Sequence, residues 1–151
     1  MITGVEIDEE ALEGILTQVA LGLQVIDEDL EEAGTMVLAR ILRRTRRGLD
    51  VNGVPFAPYA ESTRRQRKKR RRRSSKVRLQ DTGKMLAAAT SRVSGSEAVL
   101  HFSSATEGRK ARWHNEGTRH LPERRWFEAS DDDLDRAAKL IARRIAKRVS
   151  K

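Results

Sequence analysis

Residues Trp113 to Asp133, W-H-N-E-G-T-R-H-L-P-E-R-R-W-F-E-A-S-D-D-D, restrict the possible folds more than any other stretch. Both tryptophans, one of three phenylalanines and two of three histidines fall within it. Pro122 forbids a continuing helix and biases Leu121 towards an extended backbone. Ser130 followed by Asp131, Asp132 and Asp133 reads as a helix start, because a hydroxyl cap and acids in the first turn satisfy free N–H groups and complement the dipole. The spacing predicts a turn at Gly117, an extended Leu121–Phe127 piece and then a long helix. With only six aromatic residues in the chain, the core or an assembly surface is expected here.

Charge is the second constraint. The net +9 conceals segregation: residues 1–39 hold ten acids and no Lys or Arg. Residues 40–78 hold 16 basic residues against Asp50 and Glu61. Such halves can attract one another between neighbouring subunits or face different partners. Charged residues make up 35% of the chain, against about a quarter in ordinary domains. The absence of cysteine excludes disulfides, thiolate metal sites and cysteine nucleophiles. No apolar run approaches the length of a membrane span and the first residues are acidic, so a soluble chain in a cytoplasm-like compartment, without membrane contact, is expected. At 151 residues the default is one domain, 1–151.

Taken in order, Ile2–Ile7 alternates weakly as a short strand would. A helical segment follows within residues 1–26, with Leu12, Ile15, Leu16, Val19 and Leu23 on one face and a break between Gly22 and Asp27. A second helix starts at Asp27. Leu30, Gly34, Val37, Leu38, Ile41 and Thr45 make its buried stripe, and Gly48 stops it. Asn52-Gly53 signals a turn, and Phe56 and Tyr59 are expected against the core. A short helical piece spans Lys84–Ser91. Val93–Phe102 reads as a hairpin turning at Ser94-Gly95-Ser96. Ala105–Glu116 reads as a loop with one or two helical turns. The last helix runs from Asp131 to Val149, with Leu134, Ala138, Ile141, Ile145 and Val149 as its stripe.

Within the basic arm, residues 61–78, ten of the 13 positions from Arg64 to Lys76 are Lys or Arg. They are Arg64, Arg65, Arg67, Lys68, Lys69, Arg70, Arg71, Arg72, Arg73 and Lys76. Self-repulsion opposes a packed element, so an extended arm or loop is expected. Three roles stay open: a solvated surface arm, contact with nucleic-acid phosphates, or contact with an acidic face of another subunit. No stacking aromatic interrupts the run, which argues against base reading or a single-strand platform.

Signs of catalysis are weak. His114-Asn115-Glu116 has the H-x-E of zinc deaminases without the two cysteines that site needs. No phosphate loop, G-x-S-x-G or dinucleotide fingerprint is present. His114 and His120 read as structural or surface residues, and Asp131–Asp133 as capping. Neither an enzyme nor a cofactor is expected.

The motifs in sequence, G-L-D-V-N-G-V-P-F-A-P-Y-A-E-S-T, L-Q-D-T-G-K-M, A-R-W-H-N-E-G and L-P-E-R-R-W-F-E-A-S-D-D-D, resemble the virion morphogenesis or tail-completion family of tailed bacteriophages, Mu-like members included. The matching positions are Gly48, Asp50, Gly53, Pro55, Phe56, Pro58 and Thr63, then Leu79, Thr82, Gly83 and Met85. Ala111, His114 and Gly117 follow, then Pro122, Arg124 and Phe127. Lys110 stands where the family usually has tyrosine, and the basic run is denser than the family pattern. The resemblance implies an α+β fold, an antiparallel sheet packed by a long N-terminal helix and a C-terminal helix. It also implies a structural virion protein, assembled in the host cytoplasm, forming a commonly six-fold (hexameric) ring at the head-proximal end of the tail. Its partners would be copies of itself, other neck and tail-tube proteins, and the double-stranded genomic DNA passing through. The alternative is a small basic protein that binds nucleic acid non-specifically.

Overall fold

The computed structural model describes residues 13, 14, 17, 20–70 and 76–150. Its elements are α1 (Asp27–Arg46), α2 (Glu61–Lys69), α3 (Lys84–Ala87), β1 (Ala89–Ser94), β2 (Glu97–Phe102), α4 (Ala105–Glu116) and α5 (Asp131–Val149). The strand expected at Ile2–Ile7 and most of the helical segment 1–26 lie outside the described residues. Residues 20–23 are helical.

α1 has acids in its first turn and Arg43, Arg44 and Arg46 in its last, an arrangement that suits the helix dipole. The Asp29 carboxylate accepts the Ile26 N–H at 3.1 Å and so caps the start. Ala33, Gly34, Val37, Ile41 and Thr45 are buried along one face. Thr45, a hydroxyl with no access to water, donates to the Ile41 carbonyl one turn back at 2.9 Å.

That face lies on an antiparallel two-stranded sheet, β1 with β2, in which Ala89 pairs with Phe102 and Ser94 with Glu97. Gly95-Ser96 is the two-residue turn. The helical piece expected to reach Ser91 ends at Ala87, because Ala89 onward pairs with β2 instead. Gly34 permits the approach of α1: a Cβ there would stand 2.3 Å from Ser91 Oγ and 3.1 Å from Ala98 Cβ. The fold is α+β. Its core gathers Val37, Ile41, Phe56, Val77, Leu79, Met85, Leu86, Ala111 and Trp126. Phe102, Trp126 and Phe127 form a triangle of rings with centroids 4.6 to 6.1 Å apart. Of the two tryptophans expected in the core, Trp126 is fully buried and Trp113 is half exposed.

α5 packs along α1 and runs antiparallel to it. Its inward face differs from the expected stripe. Leu134 and Val149 are exposed, while Ala137, Leu140, Ile141, Arg144, Ile145 and Arg148 are partly covered. Ion pairs set this rotation. Asp133, in the first turn of α5, is buried and bound by Arg40 and Arg44 from the end of α1. Asp29, in the first turn of α1, is buried and bound by Arg144 at 2.7 Å and Arg148 at 2.8 Å from the end of α5. Two reciprocal clasps hold the pair of helices at both ends.

Burial alone would raise the Asp133 pKa. Hydrogen bonds from the Ser130 N–H and hydroxyl cap and from Arg40 and Arg44 outweigh it and hold the group at about 2. Asp29 is held well below the carboxylate range, first by its bond to Arg148, with burial opposing. Depressed folded-state pKa values contribute stability above the unfolded value of about 3.9, which is lost as pH falls towards the folded value. Thermal melts should therefore show the α1–α5 pairing failing between about pH 4 and pH 2. Asp133→Asn should destabilise the protein at neutral pH by roughly 3 kcal/mol, since it leaves the largely buried Arg44 without its carboxylate and Arg40 with only the exposed Asp132. The variant should also flatten the acid limb of stability; an unchanged acid profile would refute the role given to this clasp.

Candidate functional site

The basic run, expected as an extended arm or loop, is helical in its first half. α2 starts after Pro58 and Tyr59, and Glu61 pairs with Arg65 one turn on, an arrangement that offsets part of the self-repulsion. Arg67 supplies the anchor. Its guanidinium lies 4.8 Å from the centre of the Tyr59 ring and donates to the Gln80 carbonyl at 3.4 Å. Arg70 reaches Asp81 at 3.3 Å. No residue of α2 is buried, and Arg64, Arg65, Lys68 and Lys69 are exposed. Arg71, Arg72 and Arg73 lie outside the described residues.

Lys76, at the far end of the run, is set apart from α2. It lines a hollow of about 470 Å³ with Arg47, Leu49, Pro55, Phe56 and Pro58. The stretch that is continuous in sequence therefore presents cations at two places. α2 offers a ridge of charges with free approach, suited to a phosphate backbone or an acidic protein face.

Beneath α2, the motif residues converge. Asp50 accepts the N–H groups of Asn52 and Val54 and closes the turn holding Gly53, while Leu49 bridges to Pro55. Phe56 is buried, and its N–H donates to the Gly48 carbonyl at 2.8 Å. Arg124 is 3% exposed; its Nε donates to the Ala57 carbonyl and its Nη2 to the Pro58 carbonyl, both at 3.1 Å. A buried guanidinium thus fastens the Pro55–Pro58 loop, and through Tyr59 supports the start of α2. The Arg124 N–H donates to the His114 carbonyl at the end of α4. Thr82 and Gly83 lead into α3, which buries Met85 and Leu86.

Gly117 ends α4 with a φ of +76°, and a Cβ there would stand 2.9 Å from the Glu123 nitrogen. Only glycine fits this turn. Pro122 is exposed on the extended piece, and Phe127 packs into the aromatic triangle. Burial, with the Arg124 charge adding to it, lowers the His114 pKa. His114 therefore remains neutral at physiological pH.

No pattern in the residues marks Asn115, whose Oδ1 accepts the N–H groups of both Trp126 and Phe127 at 3.0 Å. None marks the arginines in the helix clasps either. Neither set carries a signature: one is a lone amide at a helix end, the other is spread from Arg40 to Arg148. Among the described residues, no three His, Asp or Glu side chains form a group able to hold a metal ion. Among those residues, too, no helix is long and apolar enough to cross a membrane. Comparison with known proteins finds no matching family model, curated protein or solved structure.

Arg124→Lys should keep the charge and lose the two-pronged grip on Ala57 and Pro58, costing roughly 1–3 kcal/mol. At this chain length that is a fall of about 2–12 °C in Tm. Arg64→Gln, on the exposed ridge, should leave Tm unchanged in the same melt.

Proposed function

We propose that this chain is a structural protein of a tailed-phage virion, a ring-forming neck component that completes the head-proximal end of the tail. The observation that carries the reading is convergence. Arg124, in the last of four motif segments that resemble the tail-completion pattern in order, bonds to carbonyls of the first segment through its guanidinium and of the third through its N–H. Leu79 to Asp81 of the second line the same hollow as Arg124. Such a platform positions a surface and moves no atoms of a substrate. The exposed charges of α2 then serve contact, either with DNA in the lumen or with an adjoining ring. A conduit needs non-specific attraction, which phosphate contacts give without base readout.

The same exposed ridge favours one other reading, a free non-specific nucleic-acid-binding protein. Solution mass, alone and with a tail-tube protein, at low and high salt, separates them. The neck reading expects a ring-sized species, or one formed only with the partner. A strict monomer that never joins tails but binds duplex DNA would sink it. If α2 meets phosphates, replacing Arg64, Arg65, Lys68 and Lys69 by Gln should reduce the slope of log affinity against log salt by about 3–4.

A further inference from the structure

Midway along their length, α1 and α5 flank an open groove of about 710 Å³. Met36, Ala39 and Leu140 provide apolar lining, and Arg43, Arg136, Lys139 and Arg143 provide cations. Arg136 and Lys139 already pair with Asp132 and Asp135 on their own helix. Arg43 and Arg143 have no carboxylate partner among the described residues. A groove both apolar and basic fits an acidic amphipathic helix better than a phosphate backbone, which has no apolar face to cover.

This chain carries such a segment. Residues 1–19 contain Glu6, Asp8, Glu9, Glu10 and Glu13 and no basic residue, with Leu12, Ile15, Leu16 and Val19 at helical spacing. The segment joins the body at the far end of α5, where a Cβ on Gly22 would stand 3.1 Å from Val149 Cγ2. Its described residues face solvent: Glu13, Gly14, Thr17, Ala20, Leu21 and Leu23 are all exposed. A Cβ added at Gly14 would meet nothing within 4 Å. The chain's own surface does not cover them.

We infer that the α1–α5 groove receives the acidic N-terminal segment of a second copy of this chain. Segment and groove are different surfaces, so the contact is heterologous and can pass from copy to copy around a closed ring. The inference rests on the ring reading only in requiring self-association, and it names the surfaces that make it.

The test is a charge swap in the full-length chain, read by sedimentation. Arg43→Glu with Arg143→Glu, and separately Glu9→Lys, Glu10→Lys and Glu13→Lys, should each weaken self-association on the order of tenfold or more. Neither set touches the helix clasps, so melts should stay near wild type; should the reversed groove charges unfold the protein, Arg43→Gln with Arg143→Gln gives the same reading in milder form. Mixing the two reversed proteins should restore assembly. Wild-type association by both variants, or no recovery on mixing, would overturn the proposal; a ring persisting through both would leave the neck reading standing. Loss of duplex DNA binding with association intact would instead assign the groove to phosphates and also overturn it.

Discussion

Two carboxylates with no access to water, Asp29 and Asp133, determine how the helical half of this protein is assembled. A buried carboxylate is costly unless paired and hydrogen-bonded. Each has two guanidinium partners from the opposite end of the other helix, and each accepts a backbone N–H at its own helix start. The requirement is reciprocal: the first turn of each helix needs the last turns of the other. Only an antiparallel pair in one register satisfies both. Apolar packing between α1 and α5 is too sparse to select that register, as the exposure of Leu134 and Val149 shows.

From α1 the dependence passes to the hairpin and then to the aromatic centre. Gly34 lets the helix settle on Ser91 and Ala98, which places Phe102 of β2 beside Trp126 and Phe127. Asn115 fixes the backbone of those two aromatic residues, and the Trp126 indole donates to the Ala111 carbonyl of the same helix, α4. Arg124, two residues before Trp126, then reaches outwards to hold the loop under α2. The position of the exposed charges is thus set through a chain of contacts that begins with two buried acids.

Much of this was legible in the residues. Ser130 and three aspartates announced α5, Asp27 and the arginines framed α1, and Ser94-Gly95-Ser96 marked the hairpin. Local signals report on neighbours in sequence, and these elements are decided locally. What stayed hidden depends on distance. Asp133 looked like a capping residue, which it is, but its larger role comes from Arg40 and Arg44, some 90 residues away. Periodicity put Leu134 on the inner face of α5, and ion pairing turned that face by the demands of Asp133, Arg144 and Arg148. The run from Arg64 read as too repulsive to order. A tyrosine ring, a carbonyl and Glu61 sufficed for nine residues of helix.

The proposed assembly draws on the charges that the fold leaves unpaired. Arg40, Arg44, Arg144 and Arg148 are spent inside, on Asp29, Glu32, Asp132 and Asp133. Arg124 is spent on backbone carbonyls. Exposed basic residues remain on α2 and in the α1–α5 groove, where Arg43 and Arg143 have no carboxylate partner among the described residues, while the sequence before residue 20 carries five acids and no base. On the proposed docking, the acidic segment of one copy would meet the basic groove of the next, and that attraction would have a fixed head-to-tail sense. If the groove takes up that acidic segment, the exposed cations of α2 stay available for contact with DNA or a further ring.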